Sequence, residues 1–410
     1  MGSTTRRRPA RALAGWVALS ATALGAVAHA CARGGEGTAR PGGVAPPASG
    51  AAGAGAGAGG ATGGQGGGGG ESSAGAGGGS SAGAAGWGGD AGCWRDPLQP
   101  KVSALPCDQP APSPRCEGGF CRVEPGCFVM GAPWCEWGRA KYAEDPVQVT
   151  LTRAFYLGQY EVTQAEWESL GFVNRSGVFP DGAWAGRGDC IAPDCPVGNV
   201  AWLEALTYAN ARSRAEGLAE CYELIGCKGE IGVDYLCQGV RSTGESIYAC
   251  PGYRLPTGAE WEYAARAGTR TATYGGDLTP IPDSALCALD PALEPIAWYC
   301  NNSGGMTHPV GQLLPNGWGL YDMLGNAMEV VNDADQPRYG DGPHVDFNHV
   351  VSWDGGPYDF RQGRGGTALL WAEALRVADR CPAAPPDATS PTGGFRLART
   401  VPPAPRDASP

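Results

Sequence analysis

The chain has 410 residues, with 30 Lys and Arg against 41 Asp and Glu, a formal net charge of −11. That acidity, with no basic block beyond the N-terminus, argues against nucleic acid as a partner. The absence of sustained heptads argues against a coiled coil, and a single apolar stretch near the start argues against a multi-span membrane protein.

The first 30 residues read as a signal peptide. Arg6, Arg7, Arg8 and Arg11 form a cationic region, Ala12 to Val27 is apolar, and Ala28-His29-Ala30 resembles a cleavage site. Cys31 follows directly, as in a bacterial lipoprotein signal whose cysteine is acylated. Two products stay open: a lipid-anchored cell-envelope protein, touching membrane only through Cys31, or a plainly secreted one.

Residues 31–92 hold 27 of the 68 glycines, and Gly66 to Gly70 is an unbroken run. Without large apolar side chains this segment cannot offset the entropy of ordering, so it reads as a disordered, flexible linker. Its reach by random-coil scaling is on the order of 40–50 Å. Residues 93–400 then form the folded part and 401–410 a short tail.

Sixteen cysteines are present, fifteen of them between Cys93 and Cys381. In an exported chain this density reads as disulfides. The close pairs Cys116/Cys121, Cys190/Cys195 and Cys221/Cys227 lack C-x-x-C spacing and nearby histidine, which disfavours zinc. With Cys31 acylated, the remaining odd number leaves one thiol over or paired to another chain.

The elements run as an α+β pattern with many loops. Val147 to Leu151 alternates like a half-buried strand, and Ala154 to Leu157 continues in the same manner. Thr163 with Glu166 is a capping box opening a short helix. Trp202, Ala205, Leu206 and Ala209 form one stripe of a helix running to about Arg214. Thr257 with Glu260 opens a third helix, which Gly268 ends. Beyond residue 270 few periodic runs appear, so that stretch is expected to be loop.

A family resemblance lies in the order of motifs. Gly126 to Gly131, Phe155 to Thr163, Pro196 to Trp202 and Tyr253-Arg254-Leu255-Pro256-Thr257 through Arg266 come first. His308-Pro309-Val310-Gly311, Pro315 to Asn326, Arg364-Gly365-Gly366 and Gly394-Phe395-Arg396 follow. Together they resemble the sulfatase-modifying-factor domain of formylglycine-generating enzymes over about residues 120–400. The resemblance implies a loop-rich, C-type-lectin-like fold. Read without it, Arg254, Glu260, Trp261 and Arg266 suit buried ionic and aromatic packing, and Gly311, Gly325 and Gly366 suit turns with positive φ.

What the resemblance implies chemically is oxidation of a substrate cysteine by oxygen and Cu(I), the copper held by two thiolates five residues apart. Those positions are Leu370 and Leu375 here, with Thr367 nearby keeping the hydroxyl of the family's serine. Leucine cannot ligate copper, which prefers sulfur. The domain is therefore expected to lack this chemistry and to bind a protein or peptide, with a glycan as a second ligand class; the alternative is a formylglycine-generating oxidase acting on a sulfatase-type cysteine. The resemblance also implies a structural calcium on Asp322, the carbonyls of Gly325 and Ala327, and Glu329. One further cluster, His344, Asp346 and His349, has the residue types of an iron or zinc site, against the plainer reading of a loop.

Overall fold

The computed structural model describes residues 107, 109–139, 144–178, 188–281, 287–336, 338–340, 342–348, 360–382, 385–389 and 392–402. The stretches read as a signal peptide and a flexible linker, with Cys31, and also His349, lie outside the described residues. Among the described residues no helix is long and apolar enough to cross a membrane.

The first strands are β1 (Cys116–Glu117), β2 (Phe120–Val123), β3 (Gly126–Met130), β4 (Val147–Leu151) and β5 (Phe155–Gly158). Helix α1 (Gln164–Ser169) and helix α2 (Trp202–Ala215) follow, then β6 (Tyr222–Ile225), β7 (Gly239–Ser242) and β8 (Tyr253–Arg254). Helix α3 (Gly258–Arg266) precedes β9 (Met328–Ala334), β10 (His344–Val345), β11 (Arg361–Arg364), β12 (Cys381–Pro382), β13 (Gly393–Gly394) and β14 (Ala398–Thr400).

These strands make four small sheets rather than one large one. The five-stranded sheet runs β1-β2-β5-β14-β8, all antiparallel, so the C-terminal β14 is inserted between β5 and β8. A second sheet is β10-β4-β3, a third β12-β11-β9-β13, and β6 and β7 form a hairpin. The result is the loop-rich α+β fold the sequence implied.

Local chemistry explains the helices. Thr163 and Thr257 both accept from the N3 backbone, while Glu166 and Glu260 return to the cap N–H, completing two capping boxes. The α2 stripe of Trp202, Ala205, Leu206 and Ala209 is buried throughout. The stretch beyond residue 270 departs from expectation, because β9 is a seven-residue strand there. All seven of its residues are buried, polar ones included, so no in–out alternation marks the strand.

Buried ion pairs brace the core. Arg254 grips Glu260 through Nη1 at 2.7 Å and Nη2 at 2.8 Å. Glu262 of α3 accepts from the Gly131 N–H at 2.7 Å, from Arg266 at 2.8 Å and from Arg364 at 3.1 Å. One carboxylate thus ties the end of β3, its own helix and β11 together, and removal of one partner from such a set is strongly destabilising.

Six disulfides join Cys107–Cys127, Cys116–Cys121, Cys190–Cys195, Cys221–Cys250, Cys227–Cys237 and Cys287–Cys300. Cys135 and Cys381 are also disulfide-bonded, and no described cysteine is free. Cys221 and Cys227, close in sequence, bond to different partners, because Cys221 opens β6 beside helix α2 while Cys227 and Cys237 close the tip of the hairpin.

Candidate functional site

The segment after β11 carries the positions where the resemblance places copper thiolates. Gly366 turns with φ 73°, and a Cβ there would lie 2.7 Å from the Ala374 carbonyl, so the chain folds back tightly on itself. Thr367 Oγ1 accepts from the Leu369 N–H at 3.0 Å, and the Leu370 carbonyl accepts from the Cys300 N–H at 3.1 Å. Leu375 ends a 3-10 turn, Ala372–Leu375, and is wholly buried; Leu370 is 8% exposed. Two aliphatic side chains therefore fill this place. Cys300, the nearby cysteine along the backbone, is bonded to Cys287 and offers no thiolate.

Beneath this segment Arg376 uses all its N–H groups. It donates to Glu144 at 2.5 and 2.9 Å, to Glu136 at 3.0 Å, to Asp379 at 3.3 Å and to the Glu373 carbonyl at 2.9 Å. Three buried carboxylates share one guanidinium. Burial, then the Glu144 charge, pushes Asp379 up to about 8 against the pull of Arg376, Arg364 and Arg380. Trp371 and Trp137 stand half-buried beside this hub, and Trp134 is 58% exposed.

A second cluster gathers around the turn before β9. Asp322 and Asn326 adopt positive φ, and Gly325 turns with φ 74° where a Cβ would meet the Trp298 carbonyl at 2.1 Å. Asp322 Oδ2 accepts from the Gly311 N–H at 2.7 Å, but its buried Oδ1 has no donor. Glu161, just after β5, places Oε1 at 3.1 Å from Asn326 Nδ2 and 3.4 Å from the Ala327 N–H; its Oε2 also has no donor. Burial and then the Asp322 charge hold Glu161 well above the ordinary carboxylate range. Burial likewise pushes Asp322 up to about 6, against the Gly311 N–H and Arg396.

Glu329 is occupied differently. Arg396 forks onto it through Nε at 2.7 Å and Nη2 at 2.6 Å, and Trp261 Nε1 donates at 2.8 Å. Both of its oxygens are therefore engaged by protein donors. Glu161, which the sequence reading did not single out, is the carboxylate that faces Asp322. Its signal in the sequence was slight, an acidic residue between an aromatic and an aliphatic one in Tyr160-Glu161-Val162. Among the described residues no three His, Cys, Asp or Glu side chains converge to hold a metal ion.

His344 and Asp346 are not brought to a shared site. His344 Nε2 lies 2.9 Å from the Tyr339 carbonyl with its ring against Phe347, while Asp346 accepts from Thr152 N–H at 2.8 Å and Oγ1 at 2.6 Å. Both serve the seating of β10 beside β4.

Comparison with known proteins settles the family. The family described as "Sulfatase-modifying factor enzyme 1-like domain" matches residues 107–401. The chain belongs to this family. A formylglycine-generating enzyme of Streptomyces coelicolor is 32% identical over 305 residues, covering 70% of this chain and 91% of that one. A chaperone protein LppX of Paenibacillus barcinonensis is 34% identical over 200 residues, 44% of this chain; the match spans only 62% of that protein's length. Among solved structures, Treponema denticola variable protein 1 superposes with a TM-score of 0.52 at 25% identity, covering 72% of this chain and all of that one. These likenesses agree with the sulfatase-modifying-factor fold built above from motifs.

Proposed function

We propose that this family member is an exported binding domain without copper-dependent cysteine oxidation. The observation that carries the reading is the burial of Leu370 and Leu375 where the resemblance places the thiolate pair, with no free described cysteine to replace them. A monovalent copper ion needs soft sulfur donors, and an aliphatic pair supplies none. The ligand surface is the segment around Leu370 and Trp371 together with the exposed Trp134, and its partner is a protein or peptide. The similarity to a chaperone protein and to an enzyme acting on protein agrees with a polypeptide ligand. The disulfides favour an oxidising compartment, consistent with the exported reading and with attachment through Cys31 or release.

The test is a peptide containing Cys-x-Pro-x-Arg, incubated with the full chain, copper, oxygen and a thiol reductant, followed by mass spectrometry. No conversion to aldehyde is expected, while the same peptide is retained on immobilised protein. Aldehyde formation restores the oxidase reading.

Calcium fits a different part of the domain. Glu161 Oε2 and Asp322 Oδ1 are hard oxygens buried without donors, the condition a bound divalent cation relieves. Glu161 and Asp322, with the carbonyls of Gly325 and Ala327, would hold it; Glu329 would orient the turn through Arg396. The ion supplies charge neutralisation and no reaction. Calcium should raise the unfolding temperature of the wild type, and Glu161→Gln with Asp322→Asn should abolish that rise; an equal rise in the double variant refutes the assignment.

A further inference from the structure

A separate cavity of about 270 Å³ opens where β3 meets the end of α3. None of its lining residues belongs to the Glu161–Asp322 cluster or to segment 367–376. Its floor is the Cys107–Cys127 disulfide and Phe128, which fix its shape covalently and by core packing. Its volume sits just below that of ordinary small-molecule sites and several times the roughly 30 Å³ share of one water.

The charges around it are asymmetric. No Asp or Glu lines the cavity among the described residues. Arg266 reaches the wall already neutralised by Glu262 at 2.8 Å. Arg270 is exposed and forms no ion pair with any described residue. Gln109 Nε2 is shielded from solvent and has no well-aligned hydrogen bond; its polar neighbour is the Tyr263 hydroxyl oxygen, whose own proton goes to the Glu124 carbonyl at 3.1 Å.

The end of a helix ordinarily repels anions through its exposed carbonyls. Here those carbonyls are covered. Ala264 and Ala265 accept from Asn316 Nδ2, Tyr263 accepts from the Ala267 N–H, and Arg266 accepts from Thr269 N–H and Oγ1. Among the described residues, what faces the cavity is thus a guanidinium without an ion pair and an amide donor engaged at most by the Tyr263 hydroxyl.

We propose that this cavity is a binding site for a small oxyanion, a phosphoryl or carboxylate group held by Arg270 and Gln109. The guanidinium presents two parallel N–H groups to paired oxygens, and the shielded Nε2 of half-buried Gln109 supplies a third donor. The size restricts the ligand to a free ion or a short acid.

Calorimetric titration of the full chain with inorganic phosphate, and separately with acetate, tests it, each against sodium chloride at matched ionic strength. Saturable binding is expected in the wild type, at least about tenfold weaker in Arg270→Ala. Arg241→Ala, which removes another exposed arginine on β7, should leave binding unchanged. Phosphate binding without acetate binding assigns a phosphoryl ligand; competition between the two assigns either oxyanion. No saturation by either ion, or equal binding in Arg270→Ala, overturns the proposal.

Discussion

Asp379→Asn isolates one proton in the buried hub around Arg376. Asp379 is 3% exposed and accepts from Arg376 Nη2 at 3.3 Å, a bond that an asparagine oxygen can keep. Burial and Glu144 push the folded-state value up to about 8, whereas an unfolded aspartate titrates near 3.9. Between those values the folded chain holds a proton that the unfolded chain has released. Stability from this group is therefore fully present below about pH 4 and is lost as pH rises through about 8. The slope is at most about 1.4 kcal/mol per pH unit, which asparagine removes. The stability of Asp379→Asn relative to wild type should accordingly grow with each pH unit from 5 to 8. For a domain of this size about 2–4 °C of unfolding temperature corresponds to each kcal/mol. Urea unfolding of both proteins at pH 5, 6, 7 and 8, with disulfides intact, measures the difference directly. A difference independent of pH would show that Asp379 is ionised throughout, and the account of the hub would fail.

Other perturbations have fixed directions. Gly325→Ala should lower stability by several kcal/mol, because the new Cβ would overlap the Trp298 carbonyl at 2.1 Å on a positive-φ residue; an unchanged unfolding midpoint would contradict the turn. Replacing Cys221 and Cys250 by serine opens a loop with a sequence separation of 29, worth about 3–4 kcal/mol by chain entropy. Differential scanning fluorimetry reads that loss, and no loss would place the β6–β8 region outside the cooperative unit. Thr257→Ala removes the side-chain acceptor of a fully buried capping box and should cost about 1–2 kcal/mol, read from denaturant midpoints.

Local signals in the sequence carried the helices and the family. Thr163–Glu166 and Thr257–Glu260 are three residues apart, so their caps are visible without tertiary structure. Strand β9 was not visible, because Glu329, Asn332 and Asp333 are buried beside Val330 and Val331 and erase the period. The cation cluster was half visible. Asp322 and Gly325 stand in one motif, but Glu161 reaches Asn326 across 165 residues, and Arg396 claims Glu329 across 67. Which of two acidic residues keeps unsatisfied oxygens is decided by that long-range competition for an arginine, which no spacing rule contains. Leu370 and Leu375 were legible as substitutions; that they close over as packed interior was not.

Six of the crosslinks span short stretches, from 5 to 29 residues, but Cys381 is bridged as well, and every cysteine outside those six pairs that could reach it lies at or before Cys135. Each of those six can close while only a small portion of the polypeptide is in place, before β14 has arrived to join β5 with β8. Oxidation would then pin local loops early, and only the bridge of Cys381 would have to wait until the C-terminal part of the chain has come back to its beginning. A chain truncated before Ala398 should carry correct nearby bridges yet never reach its final assembly.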